Sequence, residues 1–239
     1  MKVSGPGTSW TKFLDLITTT ARGTWAFRGE ADIGYVLRPK IGRPDFNKTT
    51  KYDLNDEIAL FKNFKFRLQK VDPSIDTDLE FLALAQHHGL PTRLLDWSSN
   101  PLVAAYFATT TDKDNVQGRI YAVRLGMDDI FGDELPPDGT PLAPFDKTRS
   151  SPIFVRVPPH AARITAQQGF FSLHTRPTEI WDIKAQHPST IDVTVEANEK
   201  EFFRDALRRV GVDRSRMMTD IDALCGDLQY EYLKRPPRP

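Results

Sequence analysis

The strongest constraint on the fold lies between residues 78 and 108, where two apolar stretches enclose a polar one. Leu79, Phe81, Leu82, Ala83, Leu84 and Ala85 cover nearly the whole circumference of a helix predicted from about Asp78 to His88, so that helix must be buried on most sides. Gly89 and Pro91 end it. Asn100 as cap and Pro101 at the first helical position then start a second apolar helix, Leu102 to Ala108. Gln86 to Trp97 contributes two imidazoles, an amide, a guanidinium, a carboxylate and an indole to the end of the first helix and the extended segment that follows it. Leaving such groups buried and unpaired would cost about 1 to 3 kcal/mol each. The cluster is therefore either a site or an internal polar network.

The remaining pattern predicts an α+β fold in which N-terminal helices pack on a mixed or antiparallel sheet. Thr8 or Ser9 caps a first helix over 8–20, with Trp10, Phe13, Leu14 and Ile17 on one face. Thr24 to Gly29 alternates aromatics with Ala26 and Arg28 as a short strand. Residues 34–50 read as an irregular connection, and Asp53 opens another helix. Strands are predicted over Gly118–Leu125, Ser151–Val157 and Thr190–Val195, with a long loop around Pro136 to Pro144. C-terminal helices fill 198–232: Asn198 caps the first and Gly211 closes it, and the last carries the stripe Ile221, Leu224, Cys225 and Leu228. The tail from Lys234 should fray. No repeat or linker interrupts residues 1–239, so one domain is expected.

Lys+Arg and Asp+Glu both total 32, so the formal net charge is zero and gives no general attraction to nucleic acid or anionic membrane. No apolar run reaches about 18 residues and the N-terminus lacks a signal-peptide core, which predicts a cytoplasmic protein without membrane contact. The single cysteine, Cys225, can form no internal disulfide and is expected to be structural. The phosphate-loop, dinucleotide-loop, zinc-protease and calcium-loop signatures are missing, as is a GxSxG serine. Adjacent His87 and His88 diverge by about 100° on a helix, so no metal site is expected. His87 reads equally as a helix-end histidine or a ligand contact. Arg93 and Asp96 read equally as an internal ion pair or as site residues. Arg28, beside a glycine at a strand end, suits phosphate recognition, with a pair to Glu30 or Asp96 as the alternative.

Phe27-Arg28-Gly29, then Glu80, Gln86 to Ser98, Asn100 to Ala108, Ala166 to Phe170 and the closing Gly211 to Leu224 segment resemble the FRG domain, named for its Phe-Arg-Gly motif, so the resemblance spans nearly the whole chain and implies a single FRG domain over 1–239. More distantly, the chain resembles ADP-ribosyltransferases of the arginine, serine, glutamate type. That resemblance implies a nucleotide ligand, NAD as substrate, and transfer or hydrolysis of ADP-ribose through an oxocarbenium-like state, in a toxin or antiphage effector whose protein or nucleic acid acceptor is open. It places Arg28 on NAD phosphate or ribose, Gly29 against the nicotinamide amide, Trp97 as a stacking surface and Ser98 at the serine position. Gln167 and Gln168 stand where the catalytic glutamate is expected, leaving Asp96, Glu80 or Glu179 to supply the charge. The resulting catalytic set is Arg28, His87, Asp96 and Gln168, and the nucleotide-binding set is Arg28, Gly29, Arg93, Trp97 and Ser98. In this arrangement Arg28 looks into an open pocket whose far wall carries His87 and Trp97. A non-catalytic module reading a phosphate-bearing ligand or a partner protein is the alternative, and a metal-dependent nuclease using His87 is a third.

Overall fold

A computed structural model describes residues 6–46, 51–68, 75–110, 115–126, 129–131, 143–146, 149–158, 166–218 and 221–233. The fold is α+β. Strands β1 (Thr24–Glu30), β2 (Leu94–Ser98), β3 (Gly118–Leu125), β4 (Ile130–Phe131), β5 (Ile153–Val155), β6 (Gly169–Leu173) and β7 (Ile191–Val195) form one sheet in the order β4-β5-β6-β2-β1-β3-β7. Every neighbouring pair is antiparallel except β4 with β5. The sheet is thus mixed, and the two strands that come first in the chain occupy its centre.

Strand pleating sends alternate side chains to opposite faces. Phe27 of β1 with Ile120 and Ala122 of β3 meets α1 (Thr8–Thr19), α4 (Pro101–Thr109) and α6 (Lys200–Arg209) in one core. On the same face Leu94, Phe171 and Leu173 pack against α2 (Leu54–Leu68) and α3 (Asp78–His87). Ala26, Leu95, Trp97, Tyr121 and Phe170 point the other way and are covered by Leu37, Phe154, Trp181 and Ile183 of the short α5 (Ile183–Gln186).

Local chemistry accounts for the helices around the site. Thr77 and Glu80 form a capping box that starts α3: Thr77 Oγ1 accepts from the Glu80 N–H at 3.2 Å, and Glu80 accepts from the Thr77 N–H at 2.7 Å. That reciprocal bonding leaves Glu80 as a cap rather than a catalytic carboxylate. Asn100 caps α4 by accepting from the Leu102 N–H at 2.9 Å. Helix α4 then lies directly on β1. A Cβ placed at Gly29 would sit 1.9 Å from the Ala104 carbonyl oxygen, and one at Gly118 would sit 2.2 Å from that of Ala108.

Three expectations are corrected. Neither Thr8 nor Ser9 caps α1. Gly7 precedes it, and the carboxylate of Glu199 accepts from the Ser9 and Trp10 N–H groups at 3.2 Å each and from the Ser9 hydroxyl at 3.1 Å. Asn198 lies inside a 3-10 turn, Ala197–Glu199, and α6 begins without a side-chain cap. On α8 (Ile221–Leu233) the stripe of Ile221, Leu224, Cys225 and Leu228 is exposed. That helix turns Ala223 and Asp227 inward because Asp227 takes the Arg208 guanidinium and the Ser215 N–H, the latter at the start of α7 (Arg214–Met218). Thr219, the expected first residue of the last helix, residues 163–165 of a short helix or turn expected before β6, most of the Pro136 to Pro144 loop and the tail from Lys234 lie outside the described residues.

Candidate functional site

Between β1 and β2 only Phe27 and Ser98 are in register, and beyond them the two strands part. The freed carbonyl of Asp96 is met by a side chain instead: Arg28 Nη1 donates to it at 2.6 Å. Arg28 Nε donates to Glu30 Oε1 at 2.7 Å, and the two side chains are only 11% and 8% exposed. The Arg28–Glu30 pair weighed from the sequence is therefore present, and half of the arginine's fork is used within the protein. Nη2 has no partner among the described residues and is not sealed from solvent.

A hollow of about 130 Å³ opens at the parting. Phe27, Val103 and Phe107 make its apolar wall; Arg28, Asp96, Ser98 and Gln167 supply polar groups. Gly29 and Ala104 line it where α4 meets β1, and Trp97 of β2 completes the lining. Asp96 lies on the helix-bearing face of the sheet, and its Oδ1 accepts from Gln86 Nε2 at 2.8 Å. Gln86 Oε1 in turn accepts from the Thr92 hydroxyl. This chain from the end of α3 fixes the carboxylate without neutralising it.

The other expected residues fall in several places. Trp97 lines the same hollow as Arg28 but is nearly closed to solvent. Its indole is 2% exposed, lies edge-on to Phe154 and Trp181, and donates from Nε1 to Ser172 Oγ at 3.0 Å. Arg93 and Asp96 do not pair with each other either. Arg93 is completely buried, with Nε and Nη2 on the two Glu57 oxygens at 2.8 and 2.5 Å, Nη1 on the Pro144 carbonyl at 2.7 Å and the Phe145 ring 4.6 Å away. The Tyr52 hydroxyl completes this network by donating to Glu57 at 2.6 Å, and burial together with that carboxylate pushes the Tyr52 pKa up. His87, at the end of α3, lies 4.8 Å edge-on to His88 and does not line the hollow. Ser98 Oγ donates to the Gln167 carbonyl at 2.7 Å and accepts from the Asn100 N–H at 2.9 Å. Gln167 rather than Gln168 lines the hollow, with its Nε2 held by the Met217 carbonyl at 2.8 Å. Gln168 sits at φ 47°, an unusual conformation for a side-chain-bearing residue, and its carbonyl accepts from the Ser99 N–H at 3.1 Å. Glu179 pairs with Arg176 away from the hollow.

Two neighbours of Arg28 were not legible beforehand. Burial, and after it the charge of Arg28, holds the Arg43 guanidinium below its ordinary value, and Arg43 Nε donates to the Arg38 carbonyl at 3.0 Å. His174 Nε2 meets the same Ser172 hydroxyl that receives Trp97, at 2.9 Å. Burial, then Arg28, then Arg93 depress its pKa to about 3, so His174 is neutral. Alternation on β6 could have flagged it, since Phe170 and Ser172 share the Trp97 face and His174 continues that series.

Among the described residues no cluster of three metal-ligating side chains occurs, and no helix is long and apolar enough to cross a membrane. No curated protein and no solved structure matches the chain. The FRG domain family matches residues 23–117, a stretch that runs from just before β1 to just before β3 and holds all of the hollow's lining except Gln167. Over those residues the chain is similar to the FRG domain.

Proposed function

We propose that the parting of β1 and β2 is a nucleotide site and that the domain binds NAD or a related nucleotide there, transferring or hydrolysing ADP-ribose in the manner of an ADP-ribosyltransferase. The observation that carries this reading is Arg28, its Nη2 without a partner among the described residues, lining a hollow with an apolar wall and a fixed carboxylate. The dimensions suit one end of the ligand. At about 130 Å³ the hollow is smaller than the roughly 300 to 1,000 Å³ of a whole small-molecule site, so it takes a single ring such as nicotinamide. Phe27, Val103 and Phe107 would hold that ring, and Arg28 would hold phosphate by a charge-assisted hydrogen bond.

NAD supplies a glycosidic bond to a cationic leaving group. Asp96 is the carboxylate that lines the hollow, and Gln86 orients it, so it is the group placed to stabilise positive charge developing nearby. A role in a toxin or an antiphage system belongs to this same reading.

A second reading has its own support. Gln167 stands where the related enzymes are expected to have a glutamate, and its amide is held by Met217, so the domain would bind nucleotide without turning it over. One pair of measurements decides. Nicotinamide release from NAD, lost in Asp96→Asn, establishes the enzyme. Calorimetric binding of NAD, weakened at least tenfold in Arg28→Ala with no release of nicotinamide, establishes the recognition module. Neither heat nor release at millimolar NAD overturns both.

A further inference from the structure

A second concavity lies in the irregular segment after β1, where a hollow of about 490 Å³ opens among residues 34–46. Three of the protein's exposed large apolar side chains gather here: Tyr35 and Phe46, each 46% exposed, and Val36, 43% exposed. Aromatic surface left open in one hollow costs solubility unless it is used. Arg38, Lys40 and Arg43 line the same hollow against a single carboxylate, Asp45. Two of the cations are open to a ligand. Arg38 makes no ion pair among the described residues, and its Nε is buried without a hydrogen-bond partner. Lys40 gives one hydrogen to the Gly89 carbonyl at 3.1 Å and keeps two.

A buried guanidinium nitrogen without an acceptor is costly and shows that Arg38 is not held by the protein's own acceptors, so its terminal nitrogens are the donors left for an incoming anion. Arginine forks match phosphate oxygens, while flat aromatic faces accept a base of any sequence by stacking. The volume falls within the range of small-molecule sites. We infer that this loop hollow binds a nucleoside 5′-phosphate, with the base against Tyr35 and Phe46 and the phosphate on Arg38 and Lys40. The site goes beyond the reading of the β1/β2 parting and stands without it. Both could serve one extended ligand, because Arg43 lies within electrostatic reach of Arg28.

The experiment is calorimetric titration of the whole chain at low ionic strength with ADP, which has no nicotinamide ring, and separately with inorganic phosphate. ADP is expected to bind, and phosphate to bind at least tenfold more weakly because it lacks the base. Arg38→Ala should weaken ADP at least tenfold and Tyr35→Ala about fivefold or more, whereas Tyr35→Phe keeps the ring and the affinity. Tyr35 is exposed, so its variants read the site even if Arg38→Ala fails to fold. Absence of ADP binding at millimolar concentration, or binding indifferent to both alanine variants, overturns the assignment. Phosphate binding as tight as ADP overturns the nucleoside half of it.

Discussion

Replacing Arg93 with methionine isolates the polar network closest to the core. Methionine fills similar length but removes the guanidinium that gives two hydrogen bonds to Glu57, one to the Pro144 carbonyl and a cation contact to Phe145. Hydrogen bonds to charged groups contribute about 1.5 to 3 kcal/mol each, so losing both to Glu57 sets a gross scale of roughly 3 to 6 kcal/mol. Breaking one partner of a buried ion pair costs about 3 to 5 kcal/mol, because the survivor is a desolvated, unpaired charge. The two routes agree, and Arg93→Met should lose about 3 to 5 kcal/mol, a large fraction of the total stability of a folded domain. Removing both charges tells a different story: Arg93→Met with Glu57→Leu should recover most of that loss, since an apolar pair of similar volume often matches a buried salt bridge. The exposed pair of Lys65 and Asp78, 30% and 43% exposed, provides the comparison, and Lys65→Met should cost less than about 1 kcal/mol. Urea unfolding followed by tryptophan fluorescence measures all three. The reasoning fails if Arg93→Met costs no more than Lys65→Met, or if the double variant is as unstable as the single.

Acid stability should carry the signature of His174. Its folded pKa, about 3, lies below the ordinary histidine value, so the unfolded chain binds the proton first; the stability is complete above about pH 6.5 and falls as the pH drops from there toward 3. Between about pH 6.5 and 5 the loss is roughly 2 kcal/mol, and His174→Gln should flatten that part of a urea-midpoint profile; an unchanged slope refutes it. His187 is lowered in the same direction by burial, so the difference between the two proteins, not the wild-type slope, is the reading. Gly29→Ala should lower the melting temperature by ten degrees or more on the order-of-magnitude scale of an overpacked core, since its Cβ would overlap the Ala104 carbonyl; a shift under a few degrees would mean that α4 yields easily. Thr77→Ala should cost about 1 kcal/mol in urea unfolding through loss of the α3 capping box, and no change would show that Glu80 suffices alone.

Where periodicity and local chemistry govern, the elements were legible: the all-round apolar helix after Asp78, the Asn-Pro start of α4 and the alternation of β3 all lie as read. The polar cluster resolved into both of its possible meanings. Arg93 became internal network, Trp97 is held by Ser172 while lining the hollow, and Asp96 reached the hollow with Gln86 bonded behind it. The side of Trp97 was open to deduction, because Leu95 and Trp97 alternate with Asp96 and the same pleat cannot bring indole and carboxylate to one face. Contacts across the whole chain were not. Glu199 caps α1 from 190 residues away, and Asp227 outweighs the apolar stripe of α8 by drawing the opposite face inward. The loop hollow had no periodic signal, since exposed aromatics and cations in an irregular segment show their common purpose only when folded together.

The triplet Phe27-Arg28-Gly29 is best understood residue by residue. Phe27 is 3% exposed in the core under α4 and pairs opposite Ser98, so packing alone calls for an apolar residue there. Gly29 is dictated by the Ala104 carbonyl, which leaves no room for a side chain. Neither requirement says anything about a ligand. Arg28 differs, because a purely structural tie from β1 to β2 needs one donor for the Asp96 carbonyl, and a lysine or glutamine could provide it. The guanidinium instead makes that bond, holds Glu30, and keeps Nη2 without a partner among the described residues while lining a hollow. Arg28→Lys therefore separates the two roles: it keeps a cation and one donor for the carbonyl, so the fold should lose less than about 1.5 kcal/mol, while the planar fork needed for phosphate is gone. A thermal melt close to wild type combined with at least tenfold weaker nucleotide binding would place the geometry of the fork in recognition. Equal binding by the lysine variant would reduce Arg28 to a strand tie.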